Sequence, residues 1–282
     1  ARLGPRQPHL AVVEAPAARR AGVTPPPPAE PPLPAAVRAR CPRFTSPPGR
    51  PAPDERLLSA PGARFAAAHA GAGLDNSLGF NISLPFEQGA NRTVQGSGNL
   101  LTFHFFFLRK LFFVKEADAV VLCPGGFGTL DEALEVLTLI QTGKSPLIPV
   151  VLLDHADGSY WQNLLSFLKE ELADNHYILA SDLHLMSLVH TAEEAAQEIS
   201  RFYRNFHSSR WLKGLFAIRM NHPLNDSALS KLDKEFADLC QNGAFKQQPY
   251  CETETDEPEL CHLIRLAFEF NGRDHGRLRE LV

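Results

Sequence analysis

A chain of 282 residues that is 44% apolar holds enough material for a sizeable buried core, in one large domain or two small ones. Its net charge of −4 excludes binding to nucleic acid or to acidic membrane by bulk electrostatics and leaves only local basic pockets for anionic ligands. The longest apolar run, Phe103 to Val114, is interrupted by Arg109 and Lys110 and is too short to cross a bilayer, so no membrane partner is expected.

Residues 1–62 are rich in Pro, Ala and Arg; the first lysine is Lys110, and about two-thirds of the 23 prolines lie here, among them Pro25 to Pro28. The stretch shows no apolar period of 2 or 3.6, and its prolines repeatedly remove backbone donors, so it is expected to be disordered. From residue 63 to 208 the pattern is globular. ARFAAAHAGAG (63–73) reads as the end of a small-residue helix and Ser77 to Leu84 as a short strand. Phe103 to Lys115 reads as a helix that is apolar nearly all round, and Ala119 to Cys123 as a buried parallel strand. A helix over Leu130 to Gln141, a strand over Leu147 to Leu153, and a helix over Tyr160 to Ala173 with Trp161, Leu164, Leu165 and Leu168 on one face come next. A strand over Leu185 to Val189 precedes a helix opened by a Thr191/Glu194 capping box and reaching about Phe206. Strand and helix in this alternation predict a Rossmann-like α/β fold, a parallel sheet with helices on both faces.

Residues 209–282 change rhythm. A strand over Gly214 to Met220, a helix over Ser227 to Cys240, and extended stretches around Gln247 to Glu254 and Arg265 to Phe270 predict a small α+β C-terminal extension. The acidic run Glu252 to Glu259 reads as a solvated loop. The five cysteines, Cys41, Cys123, Cys240, Cys251 and Cys261, are scattered without a CxxC pair, which predicts no zinc site and a reducing, cytoplasmic compartment.

Chemistry concentrates at Ala117 to Glu135, ADAVVLCPGGFGTLDEALE. Gly125, Gly126 and Gly128 after a buried strand allow a tight turn and a close approach of peptide N–H groups to a ligand. The helix that follows, capped by Thr129, aims its positive end at the same point, so an anion, phosphate above all, is the expected ligand. The competing reading is a tight strand-to-helix connection without a ligand. Glu132 has two readings as well, since Thr129-x-x-Glu132 is itself a capping box. Arg109 inside an apolar helix either reaches a carboxylate or phosphate, or snorkels to solvent. His104 reads as a helix-face or core histidine, the Phe103 to Phe113 cluster as core or dimer interface, and Cys123 as a small buried residue.

Arg109-Lys110 on a helix, followed by Pro124 to Glu132 (PGGFGTLDE) with the glutamate about two dozen residues beyond the arginine, resembles the LONELY GUY group, the cytokinin riboside 5'-monophosphate phosphoribohydrolases long mislabelled as lysine decarboxylases. The resemblance covers roughly Leu74 to Phe206. FNISLPFEQ (80–88), LTLIQTGK (137–144) and, further on, NHPLNDSAL (221–229) look like the family's longer bacterial branch. Phe107-Leu108 stand where the small enzymes carry Met-His. The resemblance implies hydrolysis of the N-glycosidic bond of a nucleoside 5'-monophosphate to free base and ribose 5-phosphate. It implies catalytic roles for Arg109 and Glu132, and substrate or phosphate binding by Lys110, Gly125, Gly126, Gly128 and Thr129. It further implies no metal, no organic cofactor and a homodimer. Members of the family carry a first strand and a second glycine-rich turn before this part, and neither is visible in residues 1–70, so the N-terminal part of the fold is expected to be atypical or missing. A nucleotide-binding protein of the same fold without turnover is the alternative.

Overall fold

The computed structural model describes strands at His9–Glu14, Ala35–Arg40 and Ser77–Ile82, and residues 98–115, 117–212, 214–249, 254 and 257–282. Buried parallel strands have no solvent face and so read as continuous apolar runs. Strand β5 (Ala119–Leu122, AVVL) is buried at all four positions, and β6 (Val150–Leu153, VVLL) at three. They pair in parallel with Val121 opposite Val151. On the other side of β5 lies β1 (His9–Glu14), also parallel, with Val12 opposite Val121. With β2 (Ala35–Arg40), β3 (Ser77–Ile82), β4 (Leu100–Phe103) and β7 (Met186–Val189) they form a seven-stranded sheet in the order β4-β3-β2-β1-β5-β6-β7.

The fold is the expected Rossmann-like α/β class, with two differences. Strand β2 runs antiparallel to both β1 and β3, so the sheet is mixed. A parallel neighbour needs a crossover, usually helical, and the segment joining β1 to β2 contains Pro25 to Pro28; antiparallel pairing imposes no such demand. The second difference concerns residues 1–62, where disorder was expected and no first strand was seen. Strands β1 and β2 lie there, and β1 supplies a parallel neighbour for β5. Its apolar run, Leu10 to Val13, is only four residues between Pro8 and Pro16, too short for periodicity to separate it from linker. The rest of 1–62, the helix end at 63–73 and the glycines at 71 and 73 lie outside the described residues.

Helices α1 (Phe106–Lys115), α2 (Phe127–Gln141), α3 (Tyr160–Phe167) and α4 (Ala192–Phe202) follow the alternation. The helix expected from Phe103 begins at Phe106 because Leu100–Phe103 pairs with β3 as β4. Helix α3 stops as an α-helix at Phe167 and continues as a π-helical segment, Leu168–Ala173. The capping box of α4 forms: Glu194 N donates to Thr191 Oγ1 at 3.1 Å and Thr191 N donates to Glu194 Oε2 at 3.2 Å. Among the described residues, no helix is long and apolar enough to cross a membrane.

The C-terminal region is α+β. Strands β8 (Phe206–Leu212), β9 (Leu215–Met220), β10 (Lys246–Gln248) and β11 (Ile264–Phe268) form an antiparallel sheet in the order β10-β11-β9-β8, accompanied by α5 (Asp226–Glu235) and α6 (His275–Leu281). Within the acidic run expected to be solvated, Glu259 is exposed but Glu254 is fully buried. Its Oε1 accepts from Arg219 Nη2 at 3.2 Å, and its Oε2 from Arg265 Nε at 2.8 Å. Two guanidinium groups compensate a desolvation that the composition of the run did not suggest.

The chain divides into two compact units, one of residues 1–136, 150–161 and 188–195, the other of 137–149, 162–187 and 196–282. The boundary expected at 208 falls inside the second unit, which also takes in the 3-10 segment Ala180–Leu185. That segment and α6 touch backbone to backbone at Gly276, where an added Cβ would stand 2.0 Å from Ser181 O and 2.7 Å from Asp182 N. Backbone atoms cannot rotate away as a side chain would. Gly276→Ala is therefore expected to destabilise the second unit by about 1–3 kcal/mol, read as a lower urea midpoint at an unchanged slope.

Candidate active site

The glycine corner joins β5 to α2 at the carboxyl end of the sheet's centre. The connection from β1 leads to one side of the sheet and that from β5 to the other, so the gap between these two strands is a switch point of strand order, where open α/β sheets hold their ligands. Cys123, buried as expected, follows the strand.

Helix α2 begins two residues earlier than Thr129. Gly126 O accepts from Thr129 N at 3.1 Å and from Leu130 N at 3.3 Å, which makes Gly126 the residue before the first turn and puts Thr129 inside it. The Thr129/Glu132 capping box is therefore not formed; the glutamate faces elsewhere. Thr129 is fully buried, and its Oγ1 would stand 2.2 Å from a Cβ on Gly125. Close approach thus accounts for Gly125. Neither Gly125, Gly126 nor Gly128 is among the glycines with positive φ. The peptide N–H groups ahead of Thr129 at the start of the helix have no intrahelical acceptor, and Gly128 and the Phe127 between the glycines are exposed, Phe127 at 93%. A positive helix end with unpaired donors in the open is suited to an anion.

Arg109 does not snorkel. It is 6% exposed and its Nη2 donates to Glu132 Oε1 at 2.8 Å, while Glu132 is 3% exposed. The guanidinium carbon lies 5.3 Å from the centre of the Phe106 ring. Arg109 Nε and Glu132 Oε2 have no partner among the described residues. Burial pushes the Glu132 carboxyl above its ordinary range; Arg109 and Lys110 oppose the shift, and Glu135 and Asp131 add to it.

Lys110, expected among the phosphate-binding residues, holds two carboxylates of α2: its Nζ is 2.7 Å from Asp131 Oδ2 and 3.0 Å from Glu135 Oε2. Burial works against its charge, but these hydrogen bonds outweigh it and the pKa is raised. His104, expected on a helix face or in the core, is exposed in the bend before α1. Of the phenylalanine cluster, Phe113 is core, whereas Phe105, Phe106, Phe107 and Phe112 are exposed together with Leu111.

Two residues at the site escaped the sequence. Tyr160, the first residue of α3, donates its hydroxyl to Gly125 O at 2.8 Å. Asp154, at the end of β6, accepts from His155 N through Oδ1 at 2.8 Å and from Trp161 N through Oδ2 at 3.2 Å. The available signal was positional: both follow the strand next to the glycine corner in a parallel sheet, so both belong to the same carboxyl-end loop cluster.

The contact between Gly125 and Thr129 yields a prediction. Gly125→Ala is expected to cost about 1–3 kcal/mol through overpacking, and Thr129→Ala in the same chain to restore part of it by removing the Oγ1 that the new Cβ meets. Paired denaturant titrations measure both.

Comparison with known proteins bears on the same residues. A family model described as "possible lysine decarboxylase" matches residues 63–199. A probable cytokinin riboside 5'-monophosphate phosphoribohydrolase of Oryza sativa subsp. japonica is 35% identical over 94 residues, 33% of this chain and 36% of that one. A cytokinin riboside 5'-monophosphate phosphoribohydrolase of Arabidopsis thaliana is 28% identical over 154 residues, 54% of this chain and 58% of its own. A probable one from the same plant reaches 40% identity over 86 residues, 30% and 41% of the two chains. The matched part thus spans 36% to 58% of the length of these relatives. The family-model match contains the Arg109–Glu132 pair and the whole glycine corner, and through residues 63–199 this chain is similar to the LONELY GUY family.

Proposed function

We propose that this chain hydrolyses the N-glycosidic bond of nucleoside 5'-monophosphates, cytokinin or other purine nucleotides, to free base and ribose 5-phosphate. One observation carries the reading. A carboxylate lies buried on the helix that starts at the glycine corner, held through one oxygen by a buried arginine, with its second oxygen unpaired. Glu132 is five residues beyond Phe127, roughly 7 Å along the axis at about 1.5 Å per residue, so a ribose phosphate anchored at the helix end reaches it.

Cleavage passes through an oxocarbenium-like ribose, whose positive charge a carboxylate stabilises. Glu132 Oε2 has the capacity to take the proton of the attacking water, and a carboxyl raised by burial is better matched to that task than an ordinary one. Arg109 fixes the carboxylate through the other oxygen and holds the substrate against it. The 5'-phosphate is received by the N–H groups around Gly126 to Gly128 in the turn shaped by Gly125 and Thr129, and Lys110 adds positive field while ordering the first turns of α2. Water is the co-reactant, and the scheme requires no metal or organic cofactor. The decarboxylase description of the family fits poorly: a Schiff-base lysine has to lose its proton, and the pKa of Lys110, the lysine beside the corner, is shifted the other way.

The exposed Phe106, Phe107, Leu111 and Phe112 of α1, with Phe105 just before it, support pairing of two copies of the chain, since contiguous apolar patches mark association surfaces. Scattered cysteines without a paired motif support a cytoplasmic setting.

The test is to incubate the protein with purine 5'-monophosphates, N6-prenylated AMP included, and to separate free base and ribose 5-phosphate by chromatography. Release is expected; binding without release would leave a nucleotide-binding protein instead. Glu132→Gln should lower kcat per folded molecule about 10²- to 10⁴-fold, the range of general acid–base contributions, and also lower the melting temperature, because it leaves the buried Arg109 without its counter-charge. Because the base form is needed, kcat/KM should fall as pH drops through a value above the ordinary 4.5 of a glutamate, and the variant should lack that limb.

A further inference from the structure

Tyr160 is not part of the glycine motif, yet it makes a direct side-chain contact with that motif's backbone. Its hydroxyl donates to the carbonyl of Gly125 at 2.8 Å. A trans peptide is rigid and planar, and its C=O and N–H point in opposite directions. Anchoring the Gly125 carbonyl therefore sets the direction of the Gly126 N–H, which belongs to the same plane. A glycine pair would otherwise rotate this peptide at little cost. We propose that Tyr160 is a positioning residue for the phosphate site: by holding the Gly125 carbonyl, it aims the Gly126 N–H at the 5'-phosphate before substrate arrives.

The tyrosine is itself held. Asp154, buried at the end of β6, accepts from the backbone of His155 and of Trp161, the residue next to Tyr160. Trp161 is fully buried, its Nε1 donates to Leu153 O at 3.2 Å, and its indole packs edge-on against the Tyr160 ring at 4.8 Å between centroids. Gly158 lets the loop close over the aspartate, since a Cβ there would stand 2.1 Å from Asp154 Oδ1. An unbroken series of fixed groups thus runs from strand β6 to the Tyr160 hydroxyl. Burial raises the phenol above its ordinary pKa, so the donor keeps its proton over the working range of the protein. A preset donor lowers the ordering cost of binding, which is the general benefit of preorganisation.

The inference rests on the reading of the glycine corner as a phosphate site, and the experiment separates the two. Ribose 5-phosphate is titrated into the full chain by calorimetry, alongside a purine nucleoside that lacks the phosphate. Wild type is expected to bind ribose 5-phosphate. Tyr160→Phe, which keeps the ring against Trp161 and removes only the hydroxyl, is expected to bind it about 10-fold more weakly, as the loss of one hydrogen bond predicts. The nucleoside should bind both proteins equally. In turnover the variant should show a KM for the monophosphate raised by the same factor and kcat within about 2-fold, the pattern of lost uniform binding. Equal ribose 5-phosphate binding by the two proteins overturns the role of Tyr160 and leaves the phosphate corner standing. So does a loss that affects the nucleoside equally. Failure of wild type to bind ribose 5-phosphate overturns the phosphate corner and the inference with it.

Discussion

Removing a guanidinium and a carboxylate from water costs several kcal/mol per ion, and Arg109 and Glu132 offset that through the single hydrogen bond they make with each other. Buried pairs of this kind contribute little net stability, and well-packed apolar residues of similar volume often serve a fold as well or better. The pair is also incompletely satisfied, with Arg109 Nε and Glu132 Oε2 left over in a place that excludes bulk water. Such a residue of unmet polarity is a cost for folding and an asset for chemistry. Alongside it Lys110 grips Asp131 and Glu135, so α1 and α2 are joined by charge, while the opposite side of α1 presents phenylalanines to the outside.

The rest of the site follows from where the sheet puts its loops. Parallel neighbours deliver their carboxyl ends to the same edge, so the loop after β5 and the loop after β6 meet there without any special arrangement. The first contributes the glycines, the buried Thr129 and the start of α2. The second contributes Asp154, Tyr160 and Trp161, which interlock with one another and with the glycine turn. Glycine supplies room for a close approach and also a freedom that has to be restrained from outside the motif.

Much of this was legible from residue order. The buried strand AVVL, the glycine turn and the alternation through Phe206 all lie within local windows where periodicity and turn chemistry operate. That Arg109 and Glu132 belong to one site came from the family resemblance, and their ion pair only from the structure, since charge spacing across two elements carries no such information. Capping-box spacing pointed to the wrong hydrogen bond for Glu132: Thr129-x-x-Glu132 has the right letters, but Gly126 starts the helix earlier and leaves the glutamate free to face α1. The acidic run around Glu254 misled for a related reason. Its partners Arg219 and Arg265 are remote in sequence and come together only through the register of β9 and β11. Strand β1 was missed because four apolar residues between prolines carry no periodic signal, although its neighbours in the sheet account for its place.

Strand β1 also shapes the order in which this molecule can assemble. It sits beside β5 in the finished sheet, yet the whole of β2, β3, β4 and α1 intervenes in the chain. Loop closure over that distance has to be met before the pairing gains anything, and contacts of this separation are slow to form. The antiparallel partner of β1, strand β2, lies nearer in sequence and is available first. Until Ala119 to Leu122 arrives, an early β1–β2–β3 ribbon would carry an open edge at the centre of the future sheet, the edge most prone to the wrong neighbour. The buried Glu132 carboxylate lies on the helix that follows β5, so the glycine corner and its carboxylate are assembled only when the sheet's most distant pairing has closed.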